Sequence, residues 1–307
     1  MQLPAAVVML RPASFGFNPD TAPSFLFQRE ITDANRKEIE RRARIEFDLL
    51  AGRLREAGVD VIVLDDKEEL KTPDAVFPNN WVSFHHDGTV VMYPMFAPSR
   101  RPERRRDIIE KLQTGGFRVS RVADLTHHEN QGRFLEGTGS VVFDHSDHIA
   151  YANISPRTNS DVLGELCNTL GYRPIVFHAT SENGDPIFHT DMVMSIGDRF
   201  VIFCGESIND TTERKRVLDG LKATGREIIS IDRKQVEQFS GNVLQLQAQN
   251  GGTVLAISTA ACLSLRSDQR DAIQRFTKIV ESPLPVFEGI GRGSARCMMA
   301  DVHLPRK

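Results

Sequence analysis

The chain has 307 residues, with 38 Lys and Arg against 41 Asp and Glu, a formal net charge of −3. Hydrophobic residues make up 40% and charged residues 26%, an ordinary globular composition that excludes a disordered or collagen-like chain. The charge balance supplies no basic field for nucleic acid or anionic lipid, and no apolar run approaches the ~18 residues that cross a bilayer.

The start, Met1-Gln2-Leu3-Pro4, lacks a charged segment followed by an apolar one. Cys167, Cys204, Cys262 and Cys297 form neither a CxxC pair nor a disulfide-like cluster. The expectation is a cytoplasmic protein with reduced thiols.

In chain order, a short apolar run at Ala6–Leu10 predicts a strand. Five helical patterns follow, each stopped by Gly or Pro and leading into a β-rich run. The first spans Asp33–Ala57, with Ile39, Leu50 and Leu54 apolar, then Gly58 and the run Val59–Leu64. The second starts at Pro102, passes Ile108, Ile109 and Leu112, stops at Gly115-Gly116 and leads into Phe117–Val122. The third, Ser160–Leu170, stops at Gly171 before Ile175–Phe177. The fourth, Thr211–Ala223, stops at Gly225 before Ile228–Ile231. The fifth is expected over Ser267–Val280, closed by Pro283 and Pro285, with Val286-Phe287 as its strand.

After each β-run comes a segment mixing polar or small residues with apolar ones. The markers Asn80, Glu136, His189, Asn242 and Cys297 stand 56, 53, 53 and 55 residues apart. Four of the segments precede a further strand, at Thr89–Tyr93, Ile149–Ile154, Arg199–Cys204 and Thr253–Ile257. The last has none, and Ala6–Leu10 at the opposite end of the sequence supplies it. A steady period of this size signals a closed repeat. The architecture expected is a five-bladed α/β propeller of pseudo-fivefold ββαβ repeats, one catalytic domain over residues 1–307 with the N-terminal strand closing the ring against the C-terminal repeat. A doubly wound α/β sheet also alternates helix and strand, but it gives no reason for two strands per helix.

In a radial repeat, equivalent positions face one axis, so Asn80, Glu136, His189 with Asp191, Asn242 and Cys297 converge where a core would hold aliphatic side chains. Burying such groups costs several kcal/mol unless they satisfy one another or a ligand. Cys297 follows the glycine-rich stretch Gly289–Ser294, and Arg292 and Arg296 are expected to favour its nucleophilic thiolate. That stretch mimics a dinucleotide fingerprint, but 14 residues after Gly293 are too few for the rest of a βαβ unit. His189 reads as a general acid/base, and Glu136 as a ligand-binding carboxylate. Asn242 reads as a residue hydrogen-bonding backbone at a tight turn. His85-His86, His127-His128-Glu129 and His145-x-x-His148 match no recognised metal spacing and are expected on surface loops, so no metal and no cofactor are assigned. The basic run Arg100–Arg106 is expected to be a solvated helix start.

Glu136-Gly137, His189-x-Asp191 and a C-terminal Cys297 on a fivefold α/β repeat resemble the guanidino-group-modifying superfamily, the penteins. The stretches Thr72–Trp81, Gly137–Ser140 and Gly293–Met298 look most like its citrulline-utilisation hydrolases. The resemblance implies Cys297 as nucleophile and His189 as acid/base, with Glu136 and Asp191 holding the planar substrate head. It further implies Asn80, Asn79, Asp74, Arg157 and Asn18 as substrate contacts. The partner implied is a small amino acid, citrulline or an arginine-like one, with neither nucleic acid nor membrane; a homo-oligomer is allowed. Where arginine deiminases carry Asp, this chain carries Asn80, as arginine dihydrolases do. An Asp matches a guanidinium through charge-assisted bonds, whereas an amide donor suits a ureido carbonyl. The expected reaction is cofactor-free hydrolysis of citrulline to ornithine, ammonia and carbon dioxide. Deimination or dihydrolysis of arginine, hydrolysis of dimethylarginine, amidino transfer and an inactive binder stay as alternatives.

Overall fold

The computed structural model describes residues 2–21 and 33–307. In chain order its elements are β1 (Ala6–Arg11), α1 (Asp33–Glu56), β2 (Asp60–Asp65), β3 (Val82–Phe84), β4 (Thr89–Met92), α2 (Asp107–Thr114), β5 (Arg121–Asp124), α3 (Gly137–Ser140) and β6 (Val141–Asp144). Then come β7 (Ile149–Asn153), α4 (Ser160–Leu170), β8 (Arg173–Phe177), β9 (Met194–Ile196), β10 (Phe200–Phe203), α5 (Thr211–Ala223), β11 (Glu227–Ser230) and α6 (Arg233–Glu237). The chain closes with β12 (Leu244–Gln247), β13 (Thr253–Ser258), α7 (Thr259–Ser264), α8 (Ser267–Gln274), β14 (Lys278–Ser282) and β15 (Ala300–Val302).

Four blades repeat one pairing rule: a short inner strand lies antiparallel to a second strand, which pairs parallel with a third after a helix. These are β3-β4-β5, β6-β7-β8, β9-β10-β11 and β12-β13-β14. The fifth follows the same rule across the sequence. β15 lies antiparallel to β1 (Ala6↔Val302), and β1 lies parallel to β2 (Ala6↔Asp60), with α1 as the crossover. This is the expected α/β propeller with pseudo-fivefold repeats. First and last blades share a ladder at one pair, Val302↔Phe84, making a six-stranded sheet β2-β1-β15-β3-β4-β5.

Local chemistry fixes the helices that match expectation most closely. Asn159 caps α4 by accepting from the N–H groups of Asp161 and Val162, and Gly171 ends it in the left-handed region. Asp210 caps α5 through the Glu213 N–H. The buried faces fill the spaces between blades. Phe47, Leu50 and Leu54 of α1 pack with Val7, Val254 and Val280, and Val217 and Leu221 of α5 with Ile175 and Phe203. Each such side chain contributes about 1.5–3 kcal/mol by leaving water.

Three expectations are corrected. The fifth helix stops at Gln274, and the β-branched run after it is β14; Val286-Phe287 instead enters a π-helical turn over Phe287–Gly291. The second helix begins at Asp107, because Pro98–Glu103 forms a separate 3₁₀ turn around Pro102. Arg100, Glu103 and Arg105 of the supposedly solvated run are buried. Among the described residues no helix is long and apolar enough to cross a membrane.

Candidate active site

The five marker segments sit just ahead of the inner strands β3, β6, β9, β12 and β15, so they meet at one end of the axis. Two glycines permit the approach. A Cβ on Gly137 (φ +48°) would lie 2.1 Å from the Asn79 carbonyl oxygen, and one on Gly241 2.1 Å from that of Met192. Phe77 stands against the glycine loop before Cys297: a Cβ on Gly293 would come within 2.6 Å of its ring.

Thr21, Asp74, Phe77, Asn80, Arg100 and Arg157 line a small cavity, partly open to solvent, together with His189, Gly291, Arg292, Gly293 and Cys297. Cys297 and His189, 108 positions apart, thus share one chamber.

Glu136 is fully buried and its oxygens are already engaged. Oε1 accepts from the Phe96 N–H at 3.1 Å; Oε2 lies 2.8 Å from His189 Nε2 and 3.5 Å from Arg157 Nη1. Burial alone would push the carboxyl up, but Arg157, His189 and Arg100 outweigh it and hold it down at about 2. A carboxylate accepts, so His189 donates from Nε2 and keeps its lone pair on Nδ1. Nδ1 faces Gly139, where a Cβ would lie 3.0 Å away, and 2.5 Å from Nδ2 of Asn80. Glu136 therefore orients the imidazole, and it is not among the residues that line the cavity.

Cys297 is enclosed by amide and carboxyl groups. Asn242 Nδ2 donates to Sγ at 3.1 Å, and the Cys297 N–H donates to Asn242 Oδ1 at 3.4 Å. Sγ lies 3.5 Å from Asp191 Oδ2, which also accepts from Asn79 Nδ2 at 3.4 Å. Burial and the adjacent Asp191 push the thiol well above its ordinary range, against the Ser294 N–H, Asn242 and Arg296. Arg296 acts in the expected direction, toward the thiolate, but burial and Asp191 outweigh it. Arg296 turns to Asp301 at 2.9 Å, and its positive charge is largely spent there. Burial raises the Asp191 carboxyl too.

Arg100, unanticipated as a site residue, is the buried cation of the opposite wall. It forms two 2.9 Å bonds to Glu103, lies 3.8 Å from Asp74 and donates from Nη1 to Asn80 Oδ1 at 2.9 Å. That bond fixes the amide, so Asn80 presents Nδ2, a buried donor without a partner among the described residues; Asp191 Oδ1 and Asn79 Oδ1 likewise have none among them. Asn18 does not line the cavity; its Nδ2 donates to Asp74 Oδ2 at 2.7 Å and holds that carboxylate. Arg157 lies between the rings of Phe96 and Phe188, 5.9 and 5.4 Å from their centroids, and reaches the cavity from there. Asn242 bonds the sulfur as well as backbone, beyond the turn role expected from sequence.

A fivefold ring of ββαβ blades with a cysteine, a Glu-held histidine and buried amides at its hub defines the pentein, guanidino-group-modifying class. Residues 11–304 match the family described as N,N dimethylarginine dimethylhydrolase, eukaryotic, and the chain belongs to that family. It is accordingly a hydrolase of non-peptide carbon–nitrogen bonds in guanidino or ureido groups. No curated protein matches it. Solved structures with the same fold include the N-terminal domain of ArgZ, covalently bound to a reaction intermediate (TM-score 0.73, 16% identity, covering 98% of this chain and 99% of that one). The AgrE complex with L-arginine aligns at TM-score 0.74 and 16% identity over 99% of this chain but 41% of its own. The dimethylarginine hydrolase of Pseudomonas aeruginosa with citrulline aligns at 0.64 and 15%, over 97% and 98%.

Proposed function

We propose that the chain hydrolyses the ureido group of citrulline to ornithine, ammonia and carbon dioxide. The observation that carries this is the Asn80 amide, held by Arg100 so that an unpartnered N–H donor faces the cavity. A neutral ureido carbonyl accepts from that donor; a guanidinium has nothing to offer it but further donors. The pairings of the nearby acids are consistent with this reading: Glu136 is already engaged by Arg157, and Asp74 and Glu103 by Arg100. Arg292 lines the cavity and makes no ion pair among the described residues, so it suits the α-carboxylate of an amino acid.

In this reading the Cys297 thiol passes its proton to Nδ1 of His189 as sulfur bonds to the ureido carbon. The imidazolium, held by Glu136, returns the proton to the departing nitrogen as the C–N bond breaks. Water then attacks the S-carbamoyl carbon, giving one proton to His189 and thence to sulfur. The carbamate released falls apart to ammonia and carbon dioxide. A general acid/base so placed contributes typically 10²–10⁴-fold. Asn242, donating to Sγ, stabilises the charge that develops on sulfur.

The family's description favours a second reading, hydrolysis of a methylated arginine. Separate incubations with citrulline, arginine and N,N-dimethylarginine decide between the two. Ornithine from citrulline and none from arginine is the expected result; citrulline from either guanidine overturns the proposal.

A further inference from the structure

The axis has a second end. Following each inner strand past the cavity leads, in three blades, to a histidine: His86 after β3, His145 after β6 and His303 after β15. Their ring nitrogens lie within 4.8 Å of one another. His145 and His303 are buried, and His86 is exposed, so an ion has a route from solvent. The expected surface-loop placement thus holds for His86, His127 and His148 but fails for His85, His128 and His145, which are buried.

We infer that His86, His145 and His303 form a binding site for a first-row divalent transition cation of the zinc type, at the opposite end of the inner strands from Cys297. Nε2 of His86 stands 3.1 Å from Nδ1 of His303. Tetrahedral zinc, with Zn–N bonds of about 2.0–2.1 Å, places its ligand nitrogens about 3.3 Å apart, so this pair is already at chelating distance. The other two ring nitrogens of the buried ligands are occupied in the way metal-bound imidazoles require. Nε2 of His303 lies 3.1 Å from Asp301 Oδ2, a carboxylate that Arg296 anchors at 2.9 Å; Nδ1 of His145 lies 2.8 Å from the Tyr172 hydroxyl. Such outer partners fix tautomer and ring direction, leaving Nδ1 of His303 and Nε2 of His145 to face the cluster. Three imidazoles and no thiolate select zinc, copper or nickel over magnesium or calcium. Because the three histidines belong to the first, second and last blades, an ion there ties across the seam where β15 meets β3.

Binding is measured on chelator-stripped Cys297→Ala protein, so that the active-site thiol cannot contribute, with Zn²⁺ and Co²⁺ alone as probes. We expect one equivalent per chain, a tetrahedral Co²⁺ visible spectrum without a thiolate charge-transfer band, and a Zn²⁺-dependent rise in Tm. His86→Ala added to that background, at an exposed position, should abolish the Co²⁺ spectrum and the Tm rise while circular dichroism is unchanged. Tyr172→Phe, which frees the His145 ring, should weaken Zn²⁺ by about 10–100-fold. Absence of saturable binding to the Cys297→Ala protein, or full binding after His86→Ala, overturns the assignment. These readouts are independent of the substrate proposed above.

Discussion

Nε2 of His189 lies 2.8 Å from Oε2 of Glu136, a carboxylate sealed from solvent and held ionised by Arg157. The proton on Nε2 is therefore pinned, and Nδ1 alone is left for chemistry. Replacing Glu136 with Gln lets the imidazole adopt either tautomer and removes the charge that stabilises imidazolium. We expect kcat for ornithine release to fall about 10²–10⁴-fold with a smaller change in KM. An unchanged kcat would separate Glu136 from the proton path.

The same carboxylate contributes to acid stability. Its folded value of about 2 lies below the ordinary 4.5, so the unfolded chain binds the proton more readily. Its contribution is present above pH ~4.5 and lost as pH falls through ~2, an upper bound of about 3 kcal/mol. Urea denaturation between those pH values should show a steep loss in the natural chain and a shallower one in Glu136→Gln.

Glu46 of α1 runs the other way. Burial, against the Val286 and Phe287 N–H groups, raises it to about 7. The folded chain then holds a proton that the unfolded chain has released above pH ~4.5, so stability falls as pH rises toward 7 and beyond. Glu46→Gln should raise the unfolding free energy measured in urea at pH 8, by roughly 1–2 kcal/mol after allowance for partial exposure, and leave it nearly unchanged at pH 4.

Asn80→Asp places a carboxylate where Nδ2 now points, facing the carbonyl of the substrate we propose. Citrulline kcat/KM should drop about 10–100-fold, the loss of one buried hydrogen bond plus repulsion. Steady-state ornithine assays check this, and unaltered citrulline kinetics would remove the argument built on Arg100 and Asn80.

Gly139→Ala tests the crowding at the hub. Its methyl would press on Nδ2 of Asn80 and Nδ1 of His189 together. Activity should fall by more than tenfold while Tm shifts by only a few degrees, because the displaced groups are side-chain ends.

Much of this was legible in the chain because period and punctuation are local. α4 and α5 have capping Asn159 and Asp210 at their starts and Gly171 or Gly225 just past their ends, and their bounds were read correctly. The fifth helix is shorter than its sequence pattern, whose apolar positions continue into Ile279 and Val280, where the period changes without a glycine to mark it. The site's markers followed from equivalence among repeats. Arg100 did not, because its burial depends on Asn80 and Glu103 closing around it, and a basic run looks solvated from sequence. The histidine cluster is hidden in the sequence for the same reason: His86, His145 and His303 are neighbours only once the ring is closed.

That closure has a kinetic consequence. The Cys297 segment precedes β15 and the Asn80 segment precedes β3, and those strands share a single ladder pair. Each remaining blade also lends the hub at least one group. Half-assembled chains hold most of their helices yet no working centre, so on dilution from denaturant turnover should return last, in step with that final junction and later than the far-ultraviolet signal.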